Sequence, residues 1–265
     1  MIHPTAIIDP SAQLGANVTI GPYAVIEGAA TIGDNCVIQA HAIITGGVTM
    51  GKDNVVGYNA VIGAEPQDLA FKPDVHSEVR IGDGNRIREN CTIHRGTSNG
   101  SATIVGSHCF LMAGAHLAHN VKLGDRVILA NNALLGGYVI IEDRVFVGGG
   151  SVFHQHIRVG QLVICQGNSG FSKDIPPFTV AAGVNFVAGL NAVGLRRAGL
   201  TPAERVDVKT AFTLLYRSGL NVRQALEAAK ERTWGPHAQI FWDFVSTTGK
   251  KGLCALISAT ADEAE

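Results

Sequence analysis

From Val105 to Cys165 an apolar residue returns at every sixth position: Val105, Leu111, Leu117, Leu123, Leu129, Leu135, Ile141, Val147, Phe153, Val159 and Cys165. Four residues after each stands a small or β-branched side chain, from Cys109 and Ala115 through to Val163 and Ser169. A helix repeats at about 3.6 and a strand at 2, so a sustained period of six fits neither element alone. It fits a solenoid of hexapeptides, each one short strand and a turn, with three hexapeptides closing a triangular coil. The same period runs from the N-terminus through Ile8, Leu14, Ile20, Ile26, Ile32, Ile38, Ile44, Met50, Val56 and Ile62. Glycine follows six of these ten, at Gly15, Gly21, Gly33, Gly51, Gly57 and Gly63, where a tight corner is expected to need a positive φ.

The phase breaks twice. Ile81 follows Ile62 by nineteen positions, one more than a coil of eighteen, and residues 64–75 are out of pattern. This stretch predicts a loop projecting from the solenoid over about 64–78, a common place for binding residues. The period resumes at Ile81, Ile87 and Ile93, skips at Asn99 and rejoins at Val105, so residues 96–101 form a second, smaller excursion. It fades through Phe171 and ends near Pro176-Pro177. Beyond Thr201 the pattern turns helical: Thr201-Pro202-Ala203-Glu204 is a capping box with proline at the first helical position. Arg217-Ser218-Gly219 ends that helix, Asn221 with Gln224 caps another through Ala229, and a third covers His237 to Val245. The expected organisation is an all-β left-handed parallel β-helix over residues 1–190 and a C-terminal helical domain over 191–265, with a frayed tail over 259–265.

Composition narrows the partners. With 265 residues, 46% hydrophobic and 16% charged, the chain can bury a large core. The 32 glycines follow no three-residue period, which suits many turns rather than collagen. A net charge of −1 offers no global attraction to nucleic acid or an anionic membrane. Of five cysteines, Cys36, Cys91, Cys109 and Cys165 fall on inward positions and read as buried thiols rather than disulfides. The start, Met1-Ile2-His3-Pro4, has no basic and apolar leader, and no apolar run approaches the ~20 residues that span a bilayer. A cytoplasmic protein without membrane insertion is expected. Flat solenoid faces with no helices over them leave apolar and edge surface, which predicts a homotrimer.

If a coil is eighteen residues, positions eighteen apart stand above one another at one strand spacing, ~4.8 Å. His119, Gly137 and Gln155 then share a column, each two residues after its apolar anchor. A histidine, an unhindered backbone N–H and an amide in one line can supply a base, an oxyanion donor and a sugar or carbonyl ligand. The competing reading makes them ordinary turn residues. His116 lies just before its anchor Leu117 and shapes any cleft beside His119. Zinc would need three converging imidazoles, but none of His94, His108, His116, His119, His154 and His156 is eighteen from another, so no metal is expected. His108, Arg126 and Arg144 form a further column. It reads either as a charged outer corner balanced by Asp125 and Asp143, or, with Lys122 and Arg158, as a basic strip for an acidic carrier protein.

Five segments taken together resemble one family: residues 87–97 (Ile-Arg-Glu-Asn-Cys-Thr-Ile-His-Arg-Gly-Thr), Ala115-His116-Leu117-Ala118-His119, Leu129-Ala130-Asn131-Asn132-Ala133, Gln67-Asp68-Leu69 and Tyr216-Arg217-Ser218-Gly219. The chain is similar to the UDP-N-acetylglucosamine O-acyltransferases of lipid A biosynthesis, over solenoid and helical appendix alike. The resemblance implies transfer of a 3-hydroxyacyl chain from acyl carrier protein to the 3-position of the UDP-linked sugar. It implies a homotrimer with sites between subunits in the cytoplasm of a Gram-negative-type bacterium. It implies no cofactor beyond the carrier's own phosphopantetheine thioester. By that pattern His119 is the general base and Gly137 the oxyanion donor. His116, His154 and Gln155 line the cleft, Gln67 and Asp68 meet the sugar, Asn191 and Arg197 meet the nucleotide, and Gly167 bounds the acyl groove.

Five positions depart from the family pattern. Asn120 stands where an aspartate usually orients the base, and Ala70 replaces a lysine, with Lys72 nearby. Tyr138 replaces a histidine, Val193 a glutamate and Ala198 an arginine. An amide can hold an imidazole but cannot offset its charge. Two alternatives therefore stand beside the main reading: transfer to a 3-amino sugar nucleotide, whose amine needs less help from a base, or a weakly active paralogue that only binds sugar nucleotide or acyl carrier protein.

Overall fold

The structure, a computed structural model, describes residues 1–257, so the tail expected to fray lies outside the described residues. Most hexads contribute a strand of two residues whose second member is the anchor, as in His116–Leu117, Leu134–Leu135 and Val152–Phe153. Side chains alternate along a strand, so the residue before the anchor faces outward and the residue two before it faces inward. Near a corner of the triangle the inward space is narrow. Ala24, Ala42, Ala115 and Ala133 fill it beside Ile26, Ile44, Leu117 and Leu135, all at most 1% exposed. Each such Ile or Leu side chain contributes roughly 1.5–3 kcal/mol on burial.

The strands stack into three mostly parallel sheets of nine, eight and eleven strands, the faces of a prism. The first face runs from Ile7–Ile8 to Gly170–Phe171 and the second from Gln13–Leu14 to Arg158–Val159. The third starts at Thr19–Ile20. Register partners are eighteen residues apart through the regular stretches, as in Val25 with Ile43 and His116 with Leu134 with Val152. The chain is a left-handed parallel β-helix.

Three details differ from the sequence reading. Of the six glycines after anchors, only Gly63 has a positive φ, +93°. The left-handed residue is instead the third after the anchor, for example Asn17, Asn35, Asp53, Asn120 and Tyr138, with φ between 58° and 60°. The glycines are there because a Cβ on Gly21, Gly33 or Gly57 would sit 2.6–2.7 Å from backbone of the next coil. Second, the stretch after Ile62 is not one coil plus a residue. Val48 pairs with Val79, 31 residues on, so one corner has been enlarged by thirteen residues and no coil is lost. The second excursion adds six, since Thr92 pairs with His116, 24 residues on. Third, the sheet does not stop at Pro176-Pro177. It continues through an antiparallel pair, Thr179–Ala182 with Phe186–Leu190, and receives a late strand, Ala255–Leu256.

Four helices precede that late strand: α1 (Ala192–Arg197), α2 (Pro202–Tyr216), α3 (Val222–Ala229) and α4 (Pro236–Ser246). The capping boxes at Thr201 and Asn221 are both present, while α1 was not anticipated. The helices build their own core around Phe178, Leu195, Val208, Phe241 and Trp242, and Phe212 joins the solenoid core. All five cysteines are buried and unpaired, and burial pushes the Cys91 and Cys109 thiols up to about 11.

One polar pair interrupts the apolar interior. Asn54 and Asn85 are fully buried. The Asn54 amide donates to the Gly51 and Gly82 carbonyls, Asn85 donates to Asn54 Oδ1 at 3.0 Å, and Asn85 Oδ1 accepts from the Cys109 N–H at 2.7 Å. The pair ties three coils together where the rung length changes. Asn85→Ala is expected to strand the Cys109 N–H and destabilise the fold by about 1–3 kcal/mol, read as a lower urea midpoint.

Candidate active site

The corner between the first and second faces gathers the chemistry. Three of its consecutive turns carry His119, Gly137 and Gln155, and the backbone locks them in step: Tyr138 N–H donates to the His119 carbonyl and His156 N–H to the Gly137 carbonyl, both at 3.0 Å. The column read from the eighteen-residue spacing is therefore present. The imidazole of His119 is not turned into the solenoid core. It lies against Gly137, where a Cβ would stand 2.4 Å from Cε1 and 2.6 Å from Nε2. Glycine is the residue that permits this contact. Gly137 N–H has no acceptor among the described residues.

Both excursions leave from this same corner and are bonded to each other. Asn99 Oδ1 accepts from His76 N–H at 2.8 Å and Gly100 N–H donates to the His76 carbonyl at 2.9 Å. Gln67 and Asp68 are exposed on the larger excursion, beside a fully exposed Leu69. Asp68 closes a local turn by accepting from Ala70 N–H at 2.9 Å. Arg95 anchors that excursion: it donates to the Val75 carbonyl at 2.7 Å, pairs with Glu65 at 3.2 Å and lies over the Phe71 ring. None of this anchoring was visible from spacing, because Arg95 meets residues 20 and 30 positions away.

Histidines also meet where the eighteen-residue rule denied it. The coil beneath His116 is 24 residues long, and this brings His94 and His116 edge to face at 5.1 Å. His94 Nδ1 meets the Glu65 carbonyl and His116 Nδ1 meets Thr92 Oγ1 at 2.7 Å. Among the described residues no group of three or more His, Cys, Asp or Glu is arranged to hold a metal ion. Burial, and then the neighbouring His94, depresses His116 to about 4. Burial also lowers His94.

The remaining predicted residues lie apart within one protomer. His154 and Gln155 are exposed on the His119 edge, and Lys251 Nζ approaches His154 Nδ1 at 3.3 Å. Gly167 sits on the edge between the third and first faces, beside the Gly149 carbonyl. Asn191 belongs to the edge between the second and third faces. It is 5% exposed, caps α1 by accepting from Gly194 N–H and donates to the Leu162 carbonyl, both at 2.8 Å. Arg197 is exposed at the end of α1. The basic column is on that same edge, but among the described residues Asp125 and Asp143 form no direct ion pair with its arginines: they accept from the Ser107 and Asp125 N–H groups of stacked turns. Arg158 is not free for a strip either, since it pairs with Asp174 at 3.0 Å and covers Phe244 at 4.3 Å.

Comparison with known proteins agrees with this architecture. Residues 29–64 and 102–137 match the bacterial transferase hexapeptide family, residues 11–46 the hexapeptide repeat of succinyl-transferase, and residues 174–254 the second domain of UDP-N-acetylglucosamine O-acyltransferase. An acyl-[acyl-carrier-protein]–UDP-N-acetylglucosamine O-acyltransferase of Halorhodospira halophila is 42% identical over 255 residues, 95% of this chain and 98% of that one. The chain belongs to this O-acyltransferase family. A relative of that name from Gloeothece citriformis is 41% identical over 198 residues, 73% of this chain and 71% of its own. Crystal structures of UDP-N-acetylglucosamine acyltransferases from Bacteroides fragilis and Acinetobacter baumannii superpose with TM-scores of 0.90 and 0.91 at 39% and 36% identity. They cover 96% and 95% of this chain, and 99% and 98% of theirs.

Two neutral imidazoles beside the site of this family member make its stability sensitive to acid. With the folded value of His116 below the ordinary 6.5, the unfolded chain takes up the proton first. The stability present above pH 6.5 is lost as pH falls toward 4. The urea midpoint is expected to drop between pH 7 and pH 4.5, and to drop less in His116→Gln.

Proposed function

We propose that this protein transfers a 3-hydroxyacyl chain from acyl carrier protein to the 3-hydroxyl of UDP-N-acetylglucosamine, the entry reaction of lipid A biosynthesis, with His119 as base and Gly137 as oxyanion donor. The observation that carries the assignment is the imidazole lying against Gly137, whose own N–H has no acceptor among the described residues. A sugar hydroxyl is a weak nucleophile near neutral pH. His119 Nε2 takes its proton as the oxygen attacks the thioester carbonyl carbon. The carbonyl electron pair moves onto oxygen, and Gly137 N–H donates to the oxyanion that forms, an interaction worth about 10²–10³ in rate. Collapse breaks the carbon–sulfur bond, and the imidazolium returns its proton to the departing pantetheine thiolate. The products are the 3-O-acyl sugar nucleotide and the free carrier thiol, and no further cofactor enters this scheme.

In this reading Gln67 and Asp68 receive the sugar, His116, His154 and Gln155 line the cleft, Gly167 bounds the acyl groove, and Asn191 and Arg197 face the nucleotide. These residues occupy all three edges of one prism. A single copy does not bring them to one place, whereas a threefold arrangement sets one copy's edge against another's. This supports a homotrimer with sites between subunits. A cytoplasmic location suits the carrier-protein substrate, and no described helix is long and apolar enough to cross a membrane.

Mass spectrometry of products from 3-hydroxyacyl carrier proteins of mixed chain length, offered with the 3-hydroxy and 3-amino sugar nucleotides, tests the proposal. A 3-O-acyl product is expected, and His119→Ala should lower its rate about 10²–10⁴-fold. A strong preference for the amine, or transfer unaffected by His119→Ala, would sink the assignment. Arg95→Ala should release the excursion bearing Gln67 and Asp68. KM for the sugar nucleotide is expected to rise about tenfold, with kcat changed less than about twofold.

A further inference from the structure

The smaller excursion carries a residue with no role in the scheme so far. Thr97 stands over the base: its backbone N–H reaches Asn120 Oδ1 at 3.1 Å and its hydroxyl reaches the same atom at 3.0 Å. The same oxygen is 3.1 Å from His119 Nδ1. A backbone N–H can only donate, so the amide atom it meets must be the carbonyl oxygen. That oxygen can only accept, so the ring nitrogen facing it must carry a proton. In the neutral ring Nε2 is then bare, and it is the ring nitrogen nearer to Gly137, 2.6 Å from where a Cβ would stand against 3.0 Å for Nδ1. The Thr97 hydroxyl spends its proton on Asn120, which leaves Tyr138 as donor of the 2.8 Å bond between Tyr138 OH and Thr97 Oγ1.

The surrounding structure holds each link in place. Asn120 sits at φ 60°, a left-handed position that asparagine tolerates, and its backbone N–H donates to the buried Thr103 hydroxyl at 2.8 Å. The excursion is braced by Ser77, which donates to the Gly96 carbonyl at 2.6 Å, and by Ser101, which accepts from Ser98 N–H and donates to its carbonyl. Tyr138 stacks on His156 at 4.6 Å and meets the His119 ring edge on at 5.3 Å. No carboxylate takes part in this chain.

We propose that Tyr138, Thr97 and Asn120 are positioning residues: their hydrogen-bond chain holds His119 in the tautomer with the proton on Nδ1 and presents Nε2 as the base. The proposal rests on His119 acting as that base. Its first test does not, because ¹⁵N NMR of the histidine rings reads the tautomer whether or not the enzyme turns over. In the native protein at pH 8 the His119 signal is expected in the Nδ1–H form. A proton on Nε2 there would overturn the proposal outright.

Variants then separate positioning from packing. Asn120→Gly suits the positive φ while removing the acceptor, and should lower kcat about 10- to 100-fold with KM for both substrates within about threefold. Its His119 signal should move toward a tautomer mixture. Asn120→Asp keeps an acceptor and should keep the Nδ1–H signal. Thr97→Val retains the backbone donor and should lower kcat only about two- to fivefold, with Thr97→Ser restoring it. Because Tyr138 acts through Thr97, Tyr138→Phe should have no further effect in the Thr97→Val background. Additive losses in that double variant, or unchanged kcat and ¹⁵N signals in Asn120→Gly, would show that the chain only packs the corner.

Discussion

Stacked coils share backbone hydrogen bonds only if each coil returns to the same height with the same number of residues. Through the stretch that carries His119, Gly137 and Gln155 that number is eighteen, and the register of the first face holds it from His116 to Val152. Everything at the corner follows from this. A change of one residue would reverse which side chains face inward and would carry the imidazole away from the glycine beneath it. The apolar anchors drive the collapse, but the inter-coil bonds determine which turn lies over which.

The irregularities are as informative as the repeat. Both insertions, of thirteen and six residues, fall in successive turns of one edge, immediately before the turn that carries His119. A solenoid tolerates length there because a corner can bulge outward while the strands on either side keep their pairing. The buried Asn54–Asn85 pair takes up the backbone donors and acceptors where the rungs change length. The inserted residues are in turn ordered by polar contacts: Arg95 ties down the larger excursion and Thr97 bonds the smaller one to Asn120. Among the histidines nearby, burial depresses His94 and His116. Burial thus favours the neutral form of both rings beside His119.

Much of this architecture was legible in the sequence. The sixfold period gave the prism and its inward residues, and multiples of eighteen placed His119, Gly137 and Gln155 in one column. Where the period broke, the arithmetic failed. The gap after Ile62 reads in the sequence as a coil and a residue, and eighteen-residue spacings do not show that His94 and His116 meet through a longer rung. Glycine after the anchor was assigned to backbone conformation, whereas its cause is the closeness of the next coil, a quantity no single hexad contains. Asp125 and Asp143 looked like partners for the arginines beside them, yet the backbone of a stacked turn takes their oxygens.

Sequence by itself determined what depends on residue type and spacing along the chain: the fold, the column that sets His119 against a bare glycine one coil away, and the helix caps. Only the tertiary structure decided which groups face the two nitrogens of the His119 ring. The Asn120 carbonyl that meets Nδ1 is itself met by a threonine 23 positions away in the chain, and a contact across an irregular turn leaves no periodic trace. The distribution of the other candidate residues over three edges was likewise hidden, because an edge is a property of how coils close on themselves and not of any segment alone.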